Sequence, residues 1–216
     1  MDMRLSLGTK AVLFMILILI LDQALKIWIK THYVIGQELH FFGKYGMLHF
    51  IENNGMAFGM EMGGKPGKLI LSMFRLIAIF AIGWYMSGLV KKSANTGLIL
   101  ATSAIMAGAI GNVIDSAFYG MIFSQSTYDH VAVLFPAGGG YSSFLHGKVV
   151  DMLYFPVINT HWPSWSPIRP GESLVFFRPV FNLSDSAITC GVISILLFQK
   201  RMFRESSPVQ TGVKPE

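Results

Sequence analysis

Four stretches of the chain, at about residues 11–30, 69–90, 97–117 and 181–203, are almost wholly apolar. Each reaches the roughly 20 residues needed to cross a hydrocarbon core. Lipid offers no partner to backbone N–H and C=O groups, so such spans must be helices that satisfy those groups internally. Composition agrees: 52% of the 216 residues are hydrophobic, 13% are charged and the mean hydropathy is +0.52. The charge content is about half that of a soluble domain. The expected fold is an all-α membrane protein with four transmembrane helices. It forms one domain over 1–204, followed by a polar, disordered cytoplasmic tail at 205–216.

Arg4 and Lys10 precede the first span as in a signal peptide, but the following "DQALKIWIK" holds no small-residue cleavage site. The span is therefore read as retained. The net charge is +5, yet Arg4, Lys10, Lys91, Lys92, Lys200, Arg201, Arg204 and Lys214 gather in three short segments at alternating span ends. By the positive-inside rule these segments are cytoplasmic, both termini are inside, and two longer loops, about 31–68 and 118–180, are outside. That placement turns the basic balance away from nucleic acid. In the first outer loop "YGMLHFIENNGMAFGM" alternates apolar and polar residues and is closed by "GGKPGK", which predicts short strands and a small extracytoplasmic β-rich cradle. The long second outer loop shows no legible elements; its Trp162, Trp165, Phe176 and Phe177 suit a membrane interface. Cys190, the single cysteine, excludes an intrachain disulfide and is expected to be a small buried side chain.

Asp22, Asp115 and Asp185 lie inside apolar spans, and Asp151 sits in the apolar "HGKVVDMLYF" of the second outer loop. Given the orientation, all four fall in one layer just inside the outer boundary. A carboxylate at such depth costs a few kcal/mol and normally faces the bundle interior at a functional site. Each also has a structural reading. Lys26 can pair with Asp22 one turn away, and Asn112 with Asp115 can knit helices together. A helix N-terminus stabilises Asp185, and Asp151 could simply be solvated. Asn182 and Thr189 extend a polar stripe around Asp185, while Ala104, Gly108, Gly111 and Asn112 are small enough to admit a neighbouring helix. The six histidines lack metal-ligand spacing and no serine sits in G-x-S-x-G, so no metal and no cofactor are expected. Two adjacent aspartates cannot both ionise; one keeps a proton while the other acts as base, which can activate water for amide hydrolysis. The residues alone leave two rivals: a proton-coupled transporter relaying through Asp22, Asp115 and Asp185, and a non-catalytic assembly factor.

Five blocks in order, "DQALK" at 22–26, "NNGMAF" at 53–58, "GAIGNVID" at 108–115, "GKVVDM" at 147–152 and "FNLSDSA" at 181–187, resemble the bacterial lipoprotein (type II) signal peptidases over nearly the whole chain. The resemblance implies a globomycin-sensitive aspartyl peptidase of the inner (cytoplasmic) membrane. Such an enzyme cuts prolipoproteins before a diacylglyceryl-modified cysteine near the outer face, with membrane lipids as its surroundings. It implies Asp151 and Asp185 as the catalytic pair, Asn53, Gly55, Ala57 and Phe58 in the cradle, and Asp22, Lys26, Gly108, Asn112, Asp115 and Asn182 in support. There are two departures. The family usually has arginine where Ser116 stands, and Lys148 or Arg178 is the expected replacement. An extra segment, roughly 121–146, precedes the fourth block and is expected outside, as an aromatic lid or a partner surface.

Overall fold

The computed structural model describes residues 5–55, 64–156, 158–167, 169–176 and 179–203. Ala57, Phe58, Phe177, Arg178 and the tail at 205–216 lie outside the described residues. Helix α1 (Leu7–His32) starts at Ser6, whose hydroxyl accepts from the Thr9 N–H at 3.1 Å. Strands β1 (Glu38–Phe42) and β2 (Gly46–Asn53) follow, then α2 (Gly64–Lys91) and α3 (Thr96–Ile114). Helix α3 is capped by Asn95 and runs on through a π turn at Asp115–Tyr119 into a last turn, α4 (Gly120–Ile122). Strands β3 (Val149–Tyr154), β4 (Ile158–His161), β5 (Ser173–Phe176) and β6 (Val180–Phe181) lead to α5 (Leu183–Met202). Four stretches, Leu7–His32, Pro66–Lys91, Thr96–Ile122 and Leu183–Met202, are long and apolar enough to cross a membrane.

Helix α3 is the centre of the bundle. It buries Leu98, Ala101, Ala104, Gly108, Gly111 and Asn112, whereas α1, α2 and α5 leave Ile20, Phe80, Trp84 and Leu197 exposed, as a lipid-facing surface requires. Its glycines explain the closeness of α5. A Cβ on Gly108 would meet the Ser184 carbonyl, and one on Gly111 would meet the Ser184 hydroxyl and stand 2.8 Å from the Asp22 carboxylate. From α5, Gly191 fits against the Ala101 carbonyl in the same way. Cys190 falls off that packed stripe of Ser184 and Gly191 and is exposed, which corrects the buried placement expected for it.

The strands β1-β2-β3-β6 form one antiparallel sheet, and β4 and β5 form a separate hairpin. The second long connection is thus more structured than its sequence suggests, because β3 pairs with β2, about a hundred residues earlier, and leaves no local signature. In the β2–β3 register Ile51 faces Asp151 and Asn53 faces Val149, which puts Asn53 and Asp151 on one face of the sheet. The opposite face carries a core of Phe50, Val150 and Met152 with Ile29, Tyr33, Tyr119, Phe123 and Ala132. Phe123 and Ala132 belong to the extra segment, which is tied to the end of α1 by Ala132 N–H to Lys30 O at 3.1 Å and Ile35 N–H to Thr127 O at 2.9 Å. Its Tyr128, Phe135 and Phe144 remain exposed.

Candidate active site

The four aspartates that depth alone placed in one layer are joined in one hydrogen-bonded cluster. At its base Lys26 from α1, fully buried, lies 2.9 Å from Asp22 Oδ2 and 2.8 Å from Asp115 Oδ2 and donates to Asn112 Oδ1 at 3.1 Å. Gln23 ties the same carboxylates together, giving its amide to Asp22 at 3.1 Å and Asp115 at 3.0 Å while accepting from the Tyr119 hydroxyl. Two carboxylates sharing one ammonium tolerate burial only with such full pairing. Asp22 Oδ1 also accepts the Ser184 N–H at 2.9 Å, so an otherwise orphaned donor in the first turn of α5 is satisfied from α1. Asp115 opens the π turn and receives the Val150 N–H at 3.3 Å, which docks β3 onto α3. Turns of this kind are frequent at functional sites.

Above this base, Asn182 links the other two aspartates. It is fully buried at the N-cap of α5, and its side chain and that of Asp185 form a capping box: Asp185 N–H to Asn182 Oδ1 at 2.9 Å, and Asn182 N–H to Asp185 Oδ2 at 3.4 Å. The Asn182 amide donates to Asp151 Oδ1 at 2.7 Å, Asn112 Oδ1 at 3.1 Å and Val150 O at 3.3 Å. Asn112 in turn donates to Asp185 Oδ1 at 2.8 Å. On the strand side, Asn53 Nδ2 donates to Asp151 Oδ2, and Asn53 Oδ1 accepts the Gly55 N–H. Asp151 is 4% exposed and Asp185 half-buried. Burial, and then the charge of Asp185, push the Asp151 carboxyl up to about 8 against the pull of the Asn182 hydrogen bond. One carboxyl able to keep a proton beside a more accessible carboxylate is an acid–base pair in geometry. Among the described residues, no group of three or more His, Cys, Asp or Glu is placed to hold a metal ion.

Of the sequence-read site residues, Asp22, Lys26, Asn53, Gly108, Asn112, Asp115, Asp151, Asn182 and Asp185 fall in or against this cluster. Gly55 lies at φ +90°, and a Cβ there would come 2.7 Å from Arg75 Nη1. Arg75, on α2, donates through Nη2 to Gly55 O and through Nη1 to Ser116 Oγ at 3.4 Å. Lys148 does not reach Ser116 as expected: its ammonium is 3.9 Å from Glu52, whose register partner Val150 puts it on the sheet face away from Asp151. The sequence reading passed over Arg75 and Gln23 because both sit within apolar spans. For Arg75 the available signal was the one used for the aspartates, an ionisable residue at membrane depth, and for Gln23 it was a polar side chain between Asp22 and Lys26 in the DQALK block. Lys30, buried against Glu52 and Ser126, was missed for the same reason.

The sequence model of a family described as signal peptidase (SPase) II matches residues 14–201. The lipoprotein signal peptidase of Porphyromonas gingivalis is 47% identical over 199 residues, 92% of this chain and 86% of that protein. Its counterpart from Amoebophilus asiaticus is 34% identical over 198 residues, 90% of this chain and 78% of the relative. The structure of a bacterial membrane enzyme determined by the in meso method at 2.3 Å resolution shares the fold, with a TM-score of 0.57 at 22% identity over 95% of this chain and 94% of that one.

Proposed function

The chain belongs to the signal peptidase II family, and we propose that it is a membrane-embedded aspartyl endopeptidase that cleaves prolipoproteins just before a diacylglyceryl-modified cysteine, with Asp151 and Asp185 as its catalytic pair. The observation that carries this reading is Asn182 joining the two aspartates: its side-chain amide donates to the Asp151 carboxyl, and its backbone N–H donates to the Asp185 carboxyl while its side-chain oxygen accepts the Asp185 N–H. Burial and the charge of Asp185 raise the Asp151 carboxyl, which favours a proton on it. Asp185, the more accessible, takes a proton from water as the water oxygen attacks the scissile carbonyl carbon. Asp151 gives its proton to the carbonyl oxygen. Collapse of the tetrahedral intermediate breaks the C–N bond, and the cysteine amine leaves with the proton taken up by Asp185, while Asp151 recovers its own from the oxygen. Asn53, Asn112 and Asn182 hold the two carboxyls in place throughout, and the Lys26–Asp22–Asp115 base fixes α1, α3 and α5 beneath them.

The dyad lies near the outer face in this reading, with both termini cytoplasmic. The substrate enters laterally from the membrane so that its two acyl chains stay in lipid. The proton-coupled transporter has no support, since the aspartates form one cluster rather than a series of steps across the bundle. The test is to incubate the purified protein in detergent with a diacylglyceryl-cysteine prolipoprotein peptide and map the product by mass. Cleavage before the cysteine that globomycin blocks supports the proposal; no cleavage, or cleavage elsewhere, overturns it.

A further inference from the structure

A charged side chain in an apolar span pairs with an opposite charge or with backbone carbonyls, because an unpaired charge at that depth is costly, and it marks a functional site. Among the described residues, the hydrogen bonds of Arg75 go to two neutral acceptors, Gly55 O and Ser116 Oγ. Among the described residues it faces the carboxylates of Asp185 from α5, Asp115 from the end of α3 and Asp151 from β3, and Lys68 on its own helix is a nearby cation. Its contacts form a relay: Arg75 donates to Gly55 O, the Gly55 N–H donates to Asn53 Oδ1, and Asn53 Nδ2 donates to Asp151 Oδ2. The left-handed φ of Gly55 lets the turn present both its N–H and its carbonyl to these partners.

We propose that Arg75 is a positioning residue for the aspartate pair: it clamps the Asn53–Gly55 turn to the end of α3, so that Asn53 stays on Asp151, and it brings a positive charge from α2 toward the pair. This rests on the aspartyl reading above. Ser116, just past the end of α3, meets Arg75 with a neutral hydroxyl, so α2 brings the guanidinium to this point. Ser116→Arg in the Arg75→Ala background would bring a guanidinium back to this point, whereas Ser116→Arg beside Arg75 would crowd two guanidiniums together.

The experiment compares the full-length protein with Arg75→Ala, Arg75→Lys, Arg75→Gln, Ser116→Arg and Arg75→Ala/Ser116→Arg on the diacylglyceryl-cysteine peptide, recording kcat, KM and the pH profile, with Asp151→Asn in parallel. Arg75→Ala is expected to lower kcat by about 100-fold, the scale of an approximately 1 Å misplacement, with KM little changed. Its alkaline limb should move to higher pH, because losing a nearby cation favours the protonated pair. Arg75→Lys recovers part of the rate, and Ser116→Arg recovers part in the Arg75→Ala background while lowering it in the wild-type one. Should Arg75→Ala fail to purify folded, Arg75→Gln, a neutral donor, gives the same reading of the limb. An unmoved limb, or kcat within about threefold of wild type, overturns the proposal, as does a double variant no better than Arg75→Ala. Cleavage by Asp151→Asn would instead bring down the aspartyl reading itself; an inactive Asp151→Asn beside an unaffected Arg75→Ala removes only the role of Arg75.

Discussion

Replacing Asn182 by alanine and by serine separates its two jobs. Its Oδ1 caps α5, and its Nδ2 bonds Asp151, Asn112 and Val150 O. Alanine removes both. Loss of an N-cap costs about 1 kcal/mol, and the lost amide leaves the buried Val150 carbonyl without that donor and Asp151 Oδ1 without its 2.7 Å contact, a further ~1–3 kcal/mol. Serine caps as well as asparagine but is too short to reach Asp151. Asn182→Ala should therefore be destabilised by about 2–4 kcal/mol and Asn182→Ser by about 1 kcal/mol less. In apparent melting temperature, followed by tryptophan fluorescence in detergent, the two variants should differ by roughly 2–4 °C. Both should lose about 100-fold in cleavage. Because the Asn182 hydrogen bond pulls Asp151 down from where burial puts it, the alkaline limb of any residual activity should move up in pH. Equal melting of the two variants would refute the cap argument, and wild-type turnover by Asn182→Ser would refute the link to Asp151.

Cleavage should fall as pH rises through about 8, where the proton on the pair is lost, the macroscopic value belonging to both aspartates. Stability carries the same sign: with the Asp151 carboxyl raised from 3.8 to about 8, the folded chain keeps a proton that the unfolded chain has released, so melting temperature should decline with pH across that window and level off above it. Asp151→Asn should flatten that slope. Lys26→Met leaves Asp22 and Asp115 buried around no cation and should destabilise by about 3–5 kcal/mol, measured as loss of folded protein on heating; a change under about 1 kcal/mol would show the triad to be dispensable. Gly108→Ala, whose Cβ would meet the Ser184 backbone carbonyl, should force α5 away from α3, costing about 1–3 kcal/mol and most of the activity, whereas wild-type melting and turnover would contradict the close packing.

The helices were readable in the chain because a membrane span advertises itself by length and apolarity alone, and the four aspartates stood out against that background. For Asp22, Asp115 and Asp185 a shared depth was legible too, since depth follows from position in a span, whereas Asp151, on a strand outside the spans, joins them through the β2–β3 pairing and Asn182. The partners were not legible. Asp22 was read with Lys26, and that pair forms, but Lys26 also serves Asp115 from another helix, a contact 89 positions away that no local spacing encodes. Strand β3 was hidden because its partner β2 lies on the far side of two helices in sequence. Arg75 shows the remaining limit: it meets Ser116 from another helix, 41 positions away in sequence, so its approach to the site is visible only after folding.

The most direct test of the central claim is the single-turnover cleavage of the diacylglyceryl-cysteine peptide by Asp151→Asn and Asp185→Asn, each first shown to be membrane-inserted and folded. The account predicts no cleavage by either variant beside robust cleavage by the wild type. Retained cleavage by either would contradict an aspartate pair as the catalytic centre.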